Sequence, residues 1–238
     1  MELLAIALAP GIAICLFIYF KDRYNKEPFW MLVFAFALGI FSILPAILIQ
    51  LSYGTDILTK DNPGLLSTAF FSYIIVACSE EGSKFLALRL FIYPRKHFDD
   101  PFDGIVYAVM IGMGFATLEN LGYVYQHGMQ TGIIRMFMAV PAHASFAVLM
   151  GYFTGFAKFN SRNRALNFFL ALFFPVLFHG TYDFCLFIGN DSLIGLGAVV
   201  ALIIALYASI KAIRKKQAIS KLYMEEKERS ALPNNVNS

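Results

Sequence analysis

The sequence predicts an all-α fold: a polytopic membrane bundle of about seven transmembrane helices, with the N-terminus outside and the C-terminus cytoplasmic. Three observations predict it. The 238 residues are 58% hydrophobic and only 15% charged, with a mean hydropathy of +0.64, unlike any soluble domain of this length. The apolar residues fall into seven runs, each near the ~20 residues a helix needs to cross a bilayer. The lysines and arginines of successive connections alternate between a rich set and a poor set, and basic loops stay in the cytoplasm. The net charge of +3 collects at span ends and is no nucleic-acid signal. Cys15, Cys78 and Cys185 each lie inside an apolar run, so no disulfide framework or metal motif follows from them.

The first span runs from about Leu3 to Phe20, with Pro10-Gly11 inside it. Only Glu2 precedes it and its positive charges come after it, so it reads as an uncleaved span rather than a leader peptide. The polar turn from Lys21 to Pro28 ends it. The second span, about Phe29–Tyr53, opens on Trp30, an aromatic residue suited to the headgroup level. A polar loop with Asp56, Lys60, Asp61 and Asn62-Pro63-Gly64 leads to the third, about Leu65–Tyr93, and Arg95 to Pro101 form the next loop. Asp103-Gly104 opens the fourth span, to about Gln126, with Asp103 as its N-cap. A turn from His127 to Gly132 leads to the fifth, about Ile133–Phe159. After Ser161-Arg162-Asn163-Arg164 come the sixth, about Ala165–Ile188, the turn Gly189-Asn190-Asp191, and the seventh, about Leu193–Ile210. Residues 1–215 make one membrane domain. Residues 216–238 read as a charged, then Pro/Asn-rich, flexible cytoplasmic tail.

Ser79-Glu80-Glu81-Gly82-Ser83-Lys84 interrupts the third span at mid-depth. Charged residues there cost roughly 2.5–3.5 kcal/mol each, and those that persist mark function by default. Lys84 is three residues from Glu81 and four from Glu80, within reach of either on a helix. The adjacent glutamates point ~100° apart, so they do different work. Polar residues interrupt three more spans: Glu119-Asn120 in the fourth, His143 in the fifth, and His179 with Asp183 in the sixth. His179 and Asp183 are four apart, so the carboxylate can orient the imidazole. At 1.5 Å rise per residue, Glu80, Glu119, His143 and His179 all fall between the midplane and the outer leaflet. Four polar helices at one level predict one site.

Taken singly these residues have plainer readings: an interhelical amide for Asn120, a helix–helix hydrogen bond for a lone histidine, an ion pair with Lys84 for Asp183. Together, carboxylates and histidines at one depth are what activating a water requires. Glu80, Glu81, Glu119 and Asp183 against Lys84 alone leave a net charge that low dielectric does not sustain. A protonated carboxyl, a charged histidine or a divalent metal must offset it. His143, His179 and Glu119 make a three-ligand set for a zinc-type ion, and the residues themselves do not choose between metal and no metal.

Glu80-Glu81-x-x-Lys84, Phe115-x-x-x-Glu119-Asn120, His143-x-x-Phe146 and His179-Gly180-x-x-Asp183 resemble the motifs of the PrsW proteases. Asp22-x-x-x-x-Glu27-Pro28 and Phe98-Asp99-x-x-x-Asp103-Gly104-Ile105-Val106-Tyr107 resemble PrsW segments too. The resemblance covers about Ala9 to Lys215. A more distant similarity links the paired glutamates to the CAAX-prenyl-endopeptidase-like superfamily, where Lys84 and Glu119 stand in place of an arginine and a histidine. The resemblance implies an intramembrane endopeptidase of the bacterial cell membrane. It would make the first cut in a single-span anti-sigma factor near the outer face, with a second intramembrane protease and a cytoplasmic one completing release of the sigma factor. It implies Glu80 as general base on water with Glu81 in support. His143 and His179 position water or the oxyanion, and Lys84, Glu119, Asn120 and Asp183 hold them. Both a glutamate-type and a metal-dependent mechanism fit it. Two rivals from other classes make different predictions. A proton-coupled transporter needs a polar path to both faces, and a non-enzymatic scaffold or immunity protein would tolerate Glu80→Gln.

Overall fold

The computed structural model describes residues 2–53, 64–188 and 192–231. The loop before Gly64, the turn at 189–191 and residues 232–238 lie outside the described residues. Within them the chain is helical with no strand. Helix α1 spans Glu2–Lys21 and α2 spans Phe29–Tyr53. Helix α3 is a continuous rod over 65–92. Helices α4 (Asp103–Phe137), α5 (Ala139–Phe159), α6 (Arg164–Ile188) and α7 (Ser192–Ala231) complete the bundle. Helices α1, α2, α4, α6 and α7 are long and apolar enough by composition to cross a membrane. The other two, α3 and α5, carry the glutamate pair and His143.

The most enclosed element is α4, where every residue from Asp103 to Thr117 is buried. It packs against α1 and α2 on one side and α5 on the other, while α6 bridges α5, α3 and α7. Lipid tails give two apolar helices no reason to associate, so close packing must come from small residues. Gly39 of α2 and Gly114 of α4 supply it: a Cβ on either would fall 2.0 Å from a backbone oxygen of the other helix, at Ile111 and Phe36 respectively. The core beneath the polar residues is wholly apolar, with Leu88, Met110, Ile111, Met113 and Ala147 buried together. Large apolar side chains such as Phe29, Phe41, Leu48 and Leu66 face outward, as a lipid-facing surface requires.

Helix α3 is not uniform. Phe71–Ala77 and Leu88–Ile92 are wound as π-helix, flanking α-helical Cys78–Ala87. The backbone N–H of Cys78 reaches back to Tyr73 and that of Tyr93 to Leu88, five residues each time. Such widened turns cluster at functional sites, because each one rotates the next turns of the rod relative to a regular helix. The segment they bracket holds Glu80, Glu81 and Lys84.

Two expectations need correction. The fourth span does not end in an open turn at 127–132. At Gly128 the backbone takes φ 80, a conformation glycine adopts freely. The residues after it remain helical to Phe137, and the segment folds back so that Gly132 packs against Val124 and Ile6. The fifth span accordingly starts at Ala139, after a break at Met138. The seventh helix also runs past the expected end near Ile210: α7 continues through Ala231. Ser220 bonds Asp100 at 2.7 Å and Lys227 bonds Asp99 at 3.0 Å, so the helix rests on the loop between α3 and α4.

Candidate active site

Helix α3 contributes Glu80, Glu81 and Lys84, all buried. The lysine lies over the carboxylates as the i+3 and i+4 spacing requires: its Nζ is 2.7 Å from Glu81 Oε1 and 3.5 Å from Glu80 Oε2. It also stands 3.2 Å from His143 Nδ1 and 3.9 Å from the centre of the Phe115 ring. An ammonium only donates, so His143 Nδ1 accepts. The imidazole then carries its proton on Nε2 and gives it to Glu119 Oε2 at 3.0 Å.

His179 stands across from it on α6, the two rings 5.2 Å apart and nearly perpendicular. Its Nδ1 is 2.9 Å from Glu81 Oε1, and its Nε2 is 3.2 Å from Asp183 Oδ2 and 3.9 Å from Glu80 Oε2. Each ring nitrogen faces a carboxylate, a pattern satisfied in full when both carry protons. The ring stacks on Phe146 at 5.1 Å. Gly180 lets α6 approach α3, since a Cβ there would fall 2.3 Å from the Tyr73 ring. The Tyr73 hydroxyl meets Thr181 Oγ1 at 2.8 Å and fixes the same contact.

The residues singled out from the sequence thus meet in one network. Glu80, Glu81, Lys84, His143, His179 and Asp183 form its centre. Glu119 joins through His143, and Asn120 turns away to donate to the Ala7 carbonyl of α1 at 3.2 Å. The suggested pairing of Asp183 with Lys84 does not form; Asp183 pairs with His179. The metal set is also different. One ligand atom from each of Glu80, Glu81, His143 and His179 lies within 4.8 Å of the others. Glu119 is not in that group; its Oε2 is shared by Arg135 Nη2 at 2.7 Å and His143 Nε2 at 3.0 Å.

Two contributors were missed. Arg135 stands at a span edge in the sequence, yet the fold-back at Gly128 brings it onto Glu119 and, at 3.0 Å, onto Asn120 Oδ1. Four carboxyls therefore face two cations rather than one. Gln50 of α2 donates to Glu80 Oε1 at 3.1 Å. A lone amide in the apolar run Phe29–Tyr53 was a readable signal. The two glutamates differ as their angular separation requires. Glu81 Oε1 accepts two short bonds and is fixed, whereas the closest polar partner of Glu80 is the neutral Gln50 amide. An apolar groove of about 530 Å³ between α2 and α3 runs past Ser79, Gly82 and Ser83.

Known proteins share this chain's sequence over most of its length. Residues 27–210 match the family model described as PrsW family intramembrane metalloprotease. Protease PrsW of Bacillus subtilis (strain 168) is 37% identical over 185 residues, covering 77% of this chain and 82% of that protein. Protease PrsW of Geobacillus kaustophilus (strain HTA426) is 34% identical over 185 residues, with 78% and 80% covered. Protease PrsW of Clostridioides difficile (strain 630) is 35% identical over 196 residues, with 79% and 80% covered. No solved structure matches the chain.

Proposed function

Because this chain belongs to the PrsW family of intramembrane metalloproteases, a multi-pass membrane protease of the bacterial cell, we propose that it makes the first, site-1 cut in a single-span anti-sigma factor. The cut lies near the outer membrane face and leads to release of an extracytoplasmic-function sigma factor. The observation that carries the catalytic reading is the convergence of Glu80, Glu81, His143 and His179, buried on three helices within reach of one reacting centre.

Glu80 is the general base. Its loose contacts leave an oxygen free to take a proton from water, and such a base contributes about 10²–10⁴-fold. Glu81 holds Lys84 and His179 in register. His179, held between Glu81 and Asp183 with a proton on each nitrogen, stabilises the developing oxyanion through its charge, and a preorganised group of this kind is worth about 10²–10³-fold. His143, held between Lys84 and Glu119, positions the water. The low-dielectric apolar core beneath the site strengthens each of these interactions.

The donor set also fits a metal. Two carboxylates and two imidazoles are the oxygen and nitrogen ligands a zinc-type ion takes, so Glu80, Glu81, His143 and His179 would hold it. When bound it would supply Lewis acidity toward the scissile carbonyl. Lys84 already meets three of those four side chains, so a cation of either kind answers the same negative charge.

The test is cleavage of a tagged anti-sigma factor by the reconstituted protein, with and without chelator. Glu80→Gln keeps volume and hydrogen bonding but removes the base, so cleavage should fall at least ~100-fold. Accumulation should stay normal, because a neutral amide is cheaper to bury than a carboxylate. His143→Ala and His179→Ala should abolish cleavage, and Asp183→Asn should weaken it less. Loss of cleavage on chelation, restored by zinc, selects the metal-dependent form, and indifference to chelator selects the glutamate form. Full cleavage by a well-expressed Glu80→Gln protein would remove Glu80 as the base.

A further inference from the structure

A second group of carboxylates lies apart from the first, where the connection between α1 and α2 meets the connection between α3 and α4. One oxygen from each of Glu27, Asp99 and Asp103 lies within 4.8 Å of the others. Glu27 and Asp103 are buried and Asp99 is half-buried. Asp22 and Asp100, both buried, add further negative charge beside them.

Most of these oxygens have protein donors. Asp103 Oδ2 accepts the backbone N–H groups of Asp99 and Asp100 at 2.8 and 2.7 Å. Glu27 Oε2 accepts the Tyr107 hydroxyl. Asp99 Oδ1 accepts from Asn25 at 2.7 Å and its Oδ2 from Lys227 at 3.0 Å. Asp22 takes the Glu27 N–H at 3.3 Å, and Asp100 takes Phe102 N–H and Ser220. Asp103 Oδ1 stands apart as the one carboxylate oxygen among the described residues that is both fully buried and without a hydrogen-bond partner. Asp103 is 0% exposed, and its carboxyl lies against that of Glu27.

An unsatisfied carboxylate oxygen facing a second carboxylate is a costly arrangement, and a buried charge persists only when paired or metal-bound. The charges of Lys26, Lys158, Lys216 and Lys227 reach this group, and none of them makes a hydrogen bond to Asp103 Oδ1. Lys227 lies at the exposed rim on Asp99. Lys216 is buried 3.5 Å from the Phe156 ring, and its Nζ makes no hydrogen bond among the described residues.

We infer that Glu27, Asp99 and Asp103 form a binding site for a hard divalent cation, Mg²⁺ or Ca²⁺, that clips the α1–α2 connection to the start of α4. All-oxygen carboxylate ligands suit these ions and not the softer metal that histidines take. Asp103 Oδ1 supplies the ligand that no protein donor satisfies. The ion ties the loop leaving α3, the helix of the glutamate pair, to the loop entering α2. Its role is to set the end of that rod, and it takes no part in the chemistry at Glu80.

The test uses the full chain in nanodiscs with Mn²⁺ as a paramagnetic probe. The His143→Ala/His179→Ala protein removes the intramembrane ligands. It should still bind one Mn²⁺ per chain, displaced by Mg²⁺ or by Ca²⁺, whichever the site prefers. Asp99→Asn, on a partly exposed loop, and Glu27→Gln should each weaken that binding by at least ~100-fold, beyond the 10–100-fold of an outer-sphere partner. The preferred ion should raise the unfolding midpoint of the His143→Ala/His179→Ala protein but not that of the same protein carrying Asp99→Asn. No bound Mn²⁺ in the His143→Ala/His179→Ala protein at millimolar concentration would overturn the inference. So would binding that ignores both carboxylate substitutions. A protonated-carboxyl infrared band that Glu27→Gln removes, unaffected by Mg²⁺ or Ca²⁺, would assign the contact to a shared proton instead.

Discussion

At the scale of single residues, Arg135 ties the network to the outer end of the bundle. Its guanidinium spans Glu119 and Asn120 and stacks over Tyr123 at 3.8 Å, so it links both polar residues of one helical turn. Breaking a buried ion pair from one side costs about 3–5 kcal/mol. With 14% and 18% of the two side chains exposed, the low end applies. Arg135→Gln should therefore lower stability by about 3 kcal/mol and slow cleavage by about tenfold or more, as Glu119, held on His143 Nε2 at 3.0 Å, loses its counter-charge. Arg135→Lys should recover only part of the loss, because a point charge cannot hold two acceptors in one plane. Unfolding midpoints and cleavage rates measured on the same preparations check this; wild-type values for both in Arg135→Gln would mean the contact carries nothing. The residue was unreadable as a partner because its contact depends on a chain reversal at Gly128. The pairing of His179 with Asp183, and of Lys84 with Glu81, was readable because one helical turn sets it.

At the scale of elements, the decisive contact is α6 on the π-wound part of α3. Gly180 is the point of closest approach, and the Tyr73 ring fills the space a side chain would need. Overpacking of this kind costs about 1–3 kcal/mol. Gly180→Val should lower the unfolding midpoint and push His179 off Glu81, with cleavage falling further than stability alone explains. Gly180→Ala with Tyr73→Leu should recover more than the sum of the two single changes, as contacting residues do. Purely additive behaviour would show that the two helices do not constrain each other here. Hydropathy marked where α3 and α6 begin and end. It did not reveal the π-winding, because Phe71–Ala77 reads as an ordinary apolar stretch, nor that α2 would bring Gln50 to Glu80, because helix neighbours are set by glycine contacts such as Gly39 on Ile111.

At the scale of the whole molecule, the alternation of basic connections sets the orientation. Reporter fusions after Lys26 and Arg164 should read as cytoplasmic, and fusions after Asn62 and Asn190 as external. A cytoplasmic reading at Asn190 would remove the last two crossings. The helical class and the rough span limits were legible because apolar length is a property of each segment alone. The resting place of α7 on the loop after α3 was not, since the charged stretch after Lys216 carries no hydropathic signal of what it touches. The lysine–glutamate grouping inside α3 has one further consequence, for biosynthesis. A chain is made from its N-terminus, so α3 reaches the translocon before His143 and His179 exist. With Lys84 reaching both glutamates from the same helix, the segment brings its own counter-charge. With one of the two glutamate charges offset, it can partition into lipid at lower cost than the bare pair, and the later helices then inherit a preassembled anchor around which to dock.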